Sequence, residues 1–372
     1  MNNMKRLLPL LLAVCMILCA CAQNAPAETT AAPTETTVET TAAPTETTVE
    51  TTQAPTETTA QTTAPTEAEL LFRHPLNGTP LAEAFTGRPY LAVINNISFA
   101  MPQCSVSSAD MIFEVLAEGG VTRCLALYSD LTGVDHIGSI RSARPYLVDI
   151  ANSFDAIFIH HGGSTDGYDE IHNTAVEDLD GMASGAFYRD QSRLDDGYDL
   201  EHTSFADGDD LIADAKARGY DLEIEEGLDY GFAFAEEATP ADGENATDIR
   251  VEFGPGGKPT TLTYNEKTGT YDAYQHGDDF IDGNTGKVMS FRNVISIAAE
   301  TYVYDGTRLV VTLVGEGDGY FACGGKIIPI RWSRADRYDP FVFTMADGTP
   351  LTLGVGTTYV GITPLAGQVI YE

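Results

Sequence analysis

An α+β fold is predicted by two observations. Up to about residue 222, apolar strand-like runs mix with helix-length amphipathic segments, whereas from about residue 223 short strands follow one another through turn residues. The stretch Leu70–Glu372 holds 303 residues of ordinary globular composition, enough to bury two cores.

The first segment is not part of that fold. Lys5 and Arg6 precede an apolar run from about Leu7 to Leu18, followed by Cys19–Ala20–Cys21. This reads as a secretory signal over residues 1–20. Its apolar run is shorter than the roughly 20 residues a membrane-spanning helix needs. Leu18-x-Ala20-Cys21 resembles the bacterial lipobox, which implies cleavage before Cys21 and a diacylglyceryl thioether on its sulfur. An ordinary cleaved signal with an incidental cysteine is the alternative.

Residues 21–69 form a stalk. From Thr29 an eleven-residue unit runs TTAAPTETTVE, TTAAPTETTVE, TTQAPTETTAQ, then a partial TTAPTEAE. An eleven-residue period can mark a right-handed coiled coil. Pro33, Pro44, Pro55 and Pro65 and the lack of large apolar residues exclude it here. Threonine and proline at this density cannot offset ordering entropy, so a solvated, disordered spacer is expected. At roughly 3 Å per residue in an extended state it could reach on the order of 100 Å.

The elements of the globular part follow in order. Arg88–Asn96 (RPYLAVINN) reads as a buried strand opened by Pro89. Asp110–Asp130 fits either a helix then a strand, or a β-hairpin; Gly119–Gly120 between two apolar runs favours the hairpin. Ala143–Phe154 fits a helix with Pro145 in its first turn, and Asp155–His160 a short buried strand leading into Gly162–Gly163. Asp209–Arg218 is an amphipathic helix, acidic at its start and closed by Lys216, Arg218 and Gly219. Residues 70–222 are thus read as a mixed N-terminal domain.

Residues 223–372 are read as a mostly β C-terminal domain. Its strands are expected at Asp248–Phe253, Thr260–Tyr264, Thr270–Tyr274, Val294–Ala299, Arg308–Val314, Ile327–Trp332, Phe341–Thr344 and Thr357–Ile362. Asp305–Gly306 between YVY and TRLVVTL is a hairpin signal.

Charge narrows the function. The formal charge of −34 becomes −36 once Lys5 and Arg6 leave with the signal. Nucleic acid, which needs a basic footprint, is excluded as a partner. Anionic lipid cannot hold such a chain electrostatically, so membrane attachment rests on the lipid at Cys21, whose two acyl chains suffice. Cys104, Cys124 and Cys323 allow at most one disulfide, with Cys104–Cys124 the pair if those segments are neighbours. Their scattered spacing does not suit zinc. No HExxH, GxSxG or phosphate loop is present, so neither a metal nor a cofactor is expected. Acid-rich loops such as Asp207–Asp210 and His276–Asp282 do not fit an EF-hand and read as solvated loops.

Basic residues are used unevenly. Between Leu70 and Ala215 stand seven arginines (Arg73, Arg88, Arg123, Arg141, Arg144, Arg189, Arg193) and no lysine. Arginine alone points to bidentate engagement of carboxylate or phosphate, internal or on a ligand. Three blocks place such groups beside glycine-rich strand ends: Glu118–Arg123, Ile137–Arg144 and Ile159–Ser164. Arg123, Arg141 and Arg144 either pair internally with Glu114, Glu118 or Asp149, or hold an anion together with Gly162 and Gly163. Arg141 and Arg144, three apart, would share a face on a helical start. His160 and His161, adjacent on a strand, point to opposite faces and cannot clamp one metal. His172 and His202 are isolated and read as satisfied polar histidines.

These blocks together resemble the YerB-like lipoprotein family of DUF3048 type, a family of uncharacterised function. The resemblance runs through RPYLAVINN (Arg88–Asn96), SSADMIFEVLAEGGVTRCLALY (Ser107–Tyr128), IGSIRSARPY (Ile137–Tyr146), HHGGS (His160–Ser164) and FYRD (Phe187–Asp190). It continues through IRWSR (Ile330–Arg334) and GTTYVGITP (Gly356–Pro364). It departs at YDLEHTSF (Tyr198–Phe205), where relatives carry a Pro-His-Asn-type segment, and at Tyr359, where tryptophan is common. The resemblance implies a membrane-anchored, two-domain protein with an N-terminal layered ββα-type domain, and brings no established activity.

Three functional readings follow. The first is an extracytoplasmic lipoprotein whose N-terminal cleft binds an anionic or hydroxylated cell-envelope ligand through Arg123, Arg141 and Arg144. The second is a cell-wall hydrolase or transferase using Glu118 as acid or base with His160 or Ser164 assisting. No second carboxylate at glycosidase spacing supports it. The third is an assembly partner that docks an envelope protein through the C-terminal β domain.

Overall fold

The apolar run RPYLAVINN has no polar alternation until its end, the pattern of a strand covered on both faces. The computed structural model of the protein, which describes residues 72–225, 227–254 and 257–372, buries all of Tyr90–Asn96 (β1). The signal 1–20, the lipid site Cys21 and the stalk 21–69 lie outside the described residues. Met111–Leu116 (β2) and Thr122–Tyr128 (β3) form an antiparallel hairpin, turned through Gly119 and Gly120 at φ 78° and 77°. Pro145–Asn152 (α1) follows, then Ile157–His160 (β4), Thr165–Thr174 (α2) and Asp178–Asp180 (β5). Phe187–Arg189 (β6), Gln191–Asp195 (α3), Ser204–Ala206 (β7) and Gly208–Arg218 (α4) complete the first half.

The second half is built from strands. They are Glu244–Asn245 (β8), Asp248–Glu252 (β9), Pro259–Asn265 (β10), Thr270–Gln275 (β11) and Asn293–Ala299 (β12). Thr301–Val303 (β13) and Leu309–Val311 (β14) make the hairpin signalled by Asp305–Gly306. Its second strand is Leu309–Val311, short of the predicted Val314, although Thr312 N–H still donates to Glu300 O in the same register. Gly315–Cys323 (β15), Lys326–Arg334 (β16), Val342–Met345 (β17), Thr358–Pro364 (β18) and Gln368–Tyr371 (β19) follow.

One mixed sheet of eleven strands draws on both halves, in the order β8-β16-β15-β12-β18-β2-β3-β1-β4-β5 with β17 on β16. The crossing is made by β18, which runs parallel to both β12 and β2 and sets Tyr359 opposite Ile112 and Gly361 opposite Glu114. A second sheet is formed around β9, β10, β11 and β19. Alternate side chains of the central strands feed two cores. Leu91, Val93, Phe113 and Leu125 pack with α1 residues Leu147, Val148 and Ile150. Ala92, Ile94, Ile112 and Ala126 pack with α4 and with Val251, Leu262 and Tyr271 of the second sheet. Each large apolar side chain so buried contributes about 1.5–3 kcal/mol.

A carboxylate crosses the join between halves. Glu114 on β2 is fully buried and paired with Lys258, and accepts from Thr122 (2.6 Å), Asn96 (3.0 Å), Thr260 (2.6 Å) and Tyr359 (2.8 Å). Burial alone would raise its pKa, but the Lys258 charge and these hydrogen bonds outweigh it and hold the carboxyl below its usual range. The expected pairing of Glu114 with a neighbouring arginine is thereby corrected: its partner is a lysine from the other half.

Two further expectations are corrected. Cys104 and Cys124 do not form a disulfide; both are free and buried. Cys124 stands within β3 between Ile94 and Glu114, while Cys104 lies beside the Arg193 guanidinium at 3.9 Å. Gly315–Cys323, absent from the expected strands, is an inner strand of the large sheet. Its glycines are required by close approach: a Cβ at Gly317 would lie 2.4 Å from Trp332 Nε1, and one at Gly319 would lie 2.6 Å from Ser296 O. Among the described residues no helix is long and apolar enough to cross a membrane.

Candidate functional site

The candidate residues gather where β4 runs out into Gly162–Gly163, yet they divide between a buried support and two separate cavities. Gly162 takes φ +70°, which turns the chain away from the sheet and toward the start of α2. Gly162 O accepts from Ala143 N (2.8 Å) and Arg141 O accepts from His161 N (3.0 Å), lacing this exit to the segment before α1. Arg141 N–H donates to Val93 O at 2.8 Å, so its backbone is extended. Arg144, the N-cap of α1, is also extended at φ −137°. The expectation that Arg141 and Arg144 share a helical face is therefore corrected: the helix starts only at Pro145, and the two guanidinium groups enter different cavities.

Arg123 is the support. It is 7% exposed and donates to Ser142 O at 2.8 Å, with Glu118 Oε2 at 3.9 Å. Burial, reinforced by Arg144, lowers its pKa to about 10. His160 is fully buried, and both ring nitrogens face oxygens: Asp178 Oδ2 at 3.0 Å and Gly162 O at 2.8 Å. Ser164 Oγ caps α2 by accepting from Gly167 N at 3.0 Å. Glu118 accepts from Arg144 Nε at 2.5 Å. Burial would raise the Glu118 pKa, but the Arg144 hydrogen bond and charge outweigh it and keep the carboxyl ionised. Glu118, His160 and Ser164 are thus each engaged by a different structural partner, and Asp149 pairs with none of Arg123, Arg141 and Arg144.

The first cavity is an open groove of about 630 Å³, lined by Arg141, His161, Gly162, Gly163, Met182, Arg189 and Leu200 among others. Arg141 reaches Glu201 through its carbonyl (2.9 Å) and through a carboxylate (3.3 Å) that is 60% exposed, a pairing weakened by solvent. Arg189 has no carboxylate within 4 Å among the described residues. It donates to Leu200 O (2.8 Å) and to His161 Nε2 (2.9 Å). Burial alone lowers the Arg189 pKa, with no counter-charge opposing it.

This guanidinium fixes the chemistry of His161. A guanidinium can only donate, so Nε2 accepts and Nδ1 carries the proton. Ser204 Oγ, 2.6 Å from Nδ1, then accepts rather than gives up its hydrogen. Burial first, and the Arg189 charge second, hold the His161 pKa below its usual value. The pair is a positioning device and not a nucleophile with its base. His161 and Arg189 were not singled out from the sequence as site residues. The available signal was alternation: with His160 facing the core, its neighbour had to face out, and Arg189 sits in the FYRD block.

The second cavity is smaller, about 220 Å³, and lies between α1, α2 and the β13–β14 hairpin. Glu118, Arg144 and Ser164 reach it, joined by Tyr146, Asp149, Asp166, Glu170, Arg308 and Arg337. No group of three His, Cys, Asp or Glu side chains placed to hold a metal occurs among the described residues.

Comparison with known proteins adds the following. Residues 76–221 match the model for the N-terminal domain of DUF3048, a protein of unknown function, and residues 249–360 match the model for the corresponding C-terminal domain. The chain is 29% identical over 297 residues to "Putative lipoprotein YerB" of Bacillus subtilis (strain 168), covering 78% of this chain and 86% of that one. The crystal structure of the YerB protein from Bacillus subtilis superposes with a TM-score of 0.70 at 28% identity, covering 80% of this chain and 99% of that one.

Proposed function

The chain belongs to the DUF3048 family, and from that footing we propose that it is a membrane-anchored extracytoplasmic lipoprotein whose groove at Arg141 and Arg189 holds an anionic cell-envelope ligand. The anchor in this reading is a diacylglyceryl group on Cys21, and the stalk 21–69 carries the folded part away from the bilayer. Similarity to a relative named as a lipoprotein supports the anchor.

One observation carries the ligand class. In a chain of net charge −34, Arg189 stands without a carboxylate partner among the described residues, in a groove that also holds Arg141. Two guanidinium groups beside a backbone opened by Gly162 and Gly163 suit bidentate recognition of carboxylate or phosphate. Arg123 and Arg144, expected as direct ligands, act in this reading as the scaffold that holds the Ser142–Gly163 segment in place. A hydrolase or transferase resting on Glu118, His160 and Ser164 has less support, because His160 is turned to Asp178 and Ser164 to its helix cap.

Isothermal titration calorimetry of the full chain in detergent, against glycerol phosphate oligomers and wall stem peptides, tests this. Binding should weaken with salt. The Arg141→Ala/Arg189→Ala protein should lose at least ten-fold in affinity while keeping its circular dichroism. An unchanged constant in a folded double variant refutes the assignment.

A further inference from the structure

The small cavity beside α1 contains polar atoms that the protein itself leaves unanswered. Tyr146 is 2% exposed, and its hydroxyl has no hydrogen-bond partner. Oδ1 of Asp149, one turn further along α1, is likewise buried and unpartnered. Buried polar groups are nearly always satisfied, and these two unpartnered atoms belong to residues that line one cavity.

The remaining lining states what an occupant would carry. Arg144 spends Nε on Glu118 and Nη1 on Ala143 O, and Arg337 spends Nη1 on Glu170. Nη2 of Arg144 and Nε and Nη2 of Arg337 make no hydrogen bond among the described residues, so donors remain for a carboxylate. On the acceptor side stand Asp149, Glu170 and Glu118, which suit an ammonium. Charges of both signs therefore meet in about 220 Å³, below the roughly 300–1,000 Å³ of pockets for drug-sized ligands.

We propose that this cavity binds a small zwitterion with an amino group and a carboxylate, an amino acid or dipeptide, with Asp149 and Tyr146 meeting the amino end and Arg144 and Arg337 the carboxylate. This site is separate from the Arg141–Arg189 groove and does not rest on it. Ion pairs on the same walls, such as Arg308 Nη1 with Asp166 at 2.7 Å, join α2 to the β13–β14 hairpin.

The test is calorimetry of the full chain in detergent with alanylalanine in its L,L and D,D forms, its N-acetyl derivative and its amide. The zwitterion should bind, with either blocked form weakened at least ten-fold. The chiral arms separate free peptide from wall stem ends, because only the latter terminate in D-residues. Asp149→Asn should weaken the zwitterion at least ten-fold, and Tyr146→Phe, which removes one atom and preserves packing, about three- to ten-fold. Groove variants at Arg189 should leave the dipeptide constant within two-fold, so failure at one site is distinct from failure at the other. Absence of binding by both chiral forms, equal binding of a blocked form, or an unchanged constant in folded Asp149→Asn and Tyr146→Phe overturns the proposal.

Discussion

Arg189 and Asp149 carry most of the chemistry at the scale of single residues, and for opposite reasons. Arg189 has no partner carboxylate among the described residues, whereas Asp149 is a half-buried carboxyl whose pKa rises from 3.8 to about 6. Desolvation is the largest cause; Arg334 and Arg337 oppose it, and Glu170 and Asp336 add to it. A raised acid pKa means that the unfolded chain sheds this proton first as pH rises. Stability should therefore fall between pH 3.8 and about pH 6 and carry the full cost above. Asp149→Asn removes that cost and should stabilise the protein at pH 7 by about 1–3 kcal/mol, with the gain fading toward pH 4. Urea unfolding at several pH values checks it; a variant less stable than the parent at pH 7 contradicts the assignment.

At the scale of elements, the exit from β4 decides where the candidates go. Alternation sends His160 inward to Asp178 and leaves His161 outside the strand, where Arg189 from β6 meets it. Ser164 starts α2 by capping Gly167 N, and it is this short segment that separates the groove from the zwitterion cavity. Ser164→Ala should cost about 1 kcal/mol through the lost cap. Hydrogen exchange should show faster opening of α2 alone; equal protection in both proteins contradicts the cap. The hairpin at Gly119–Gly120, α1 with Pro145 and α4 with its acidic start were legible because caps and turns are local. The helix α2 was missed because its apolar residues are few. The strand β15 was missed because its glycines answer to neighbours above them and not to a turn.

At the scale of the whole molecule, the eleven-stranded sheet and the buried Glu114–Lys258 pair tie the halves together. Glu114→Gln leaves Lys258 buried beside a neutral amide and should destabilise by about 3 kcal/mol or more. Parent and variant should each unfold in one step, with fluorescence of Trp332 in β16 coinciding with loss of exchange protection in β1–β4. Separate transitions would contradict that coupling. The sequence by itself determined the class of fold, most of the elements, the arginine-rich blocks and the family, since these rest on composition, local periodicity and ordered motifs. Tertiary structure alone decided that residues 111–115 pair with 358–362, that Glu114 belongs to a lysine, and that Arg141 and Arg144 open into different cavities. The physical reason is that strand pairing and charge compensation are set by long-range contacts, whose partners leave no periodic trace in the segments they join.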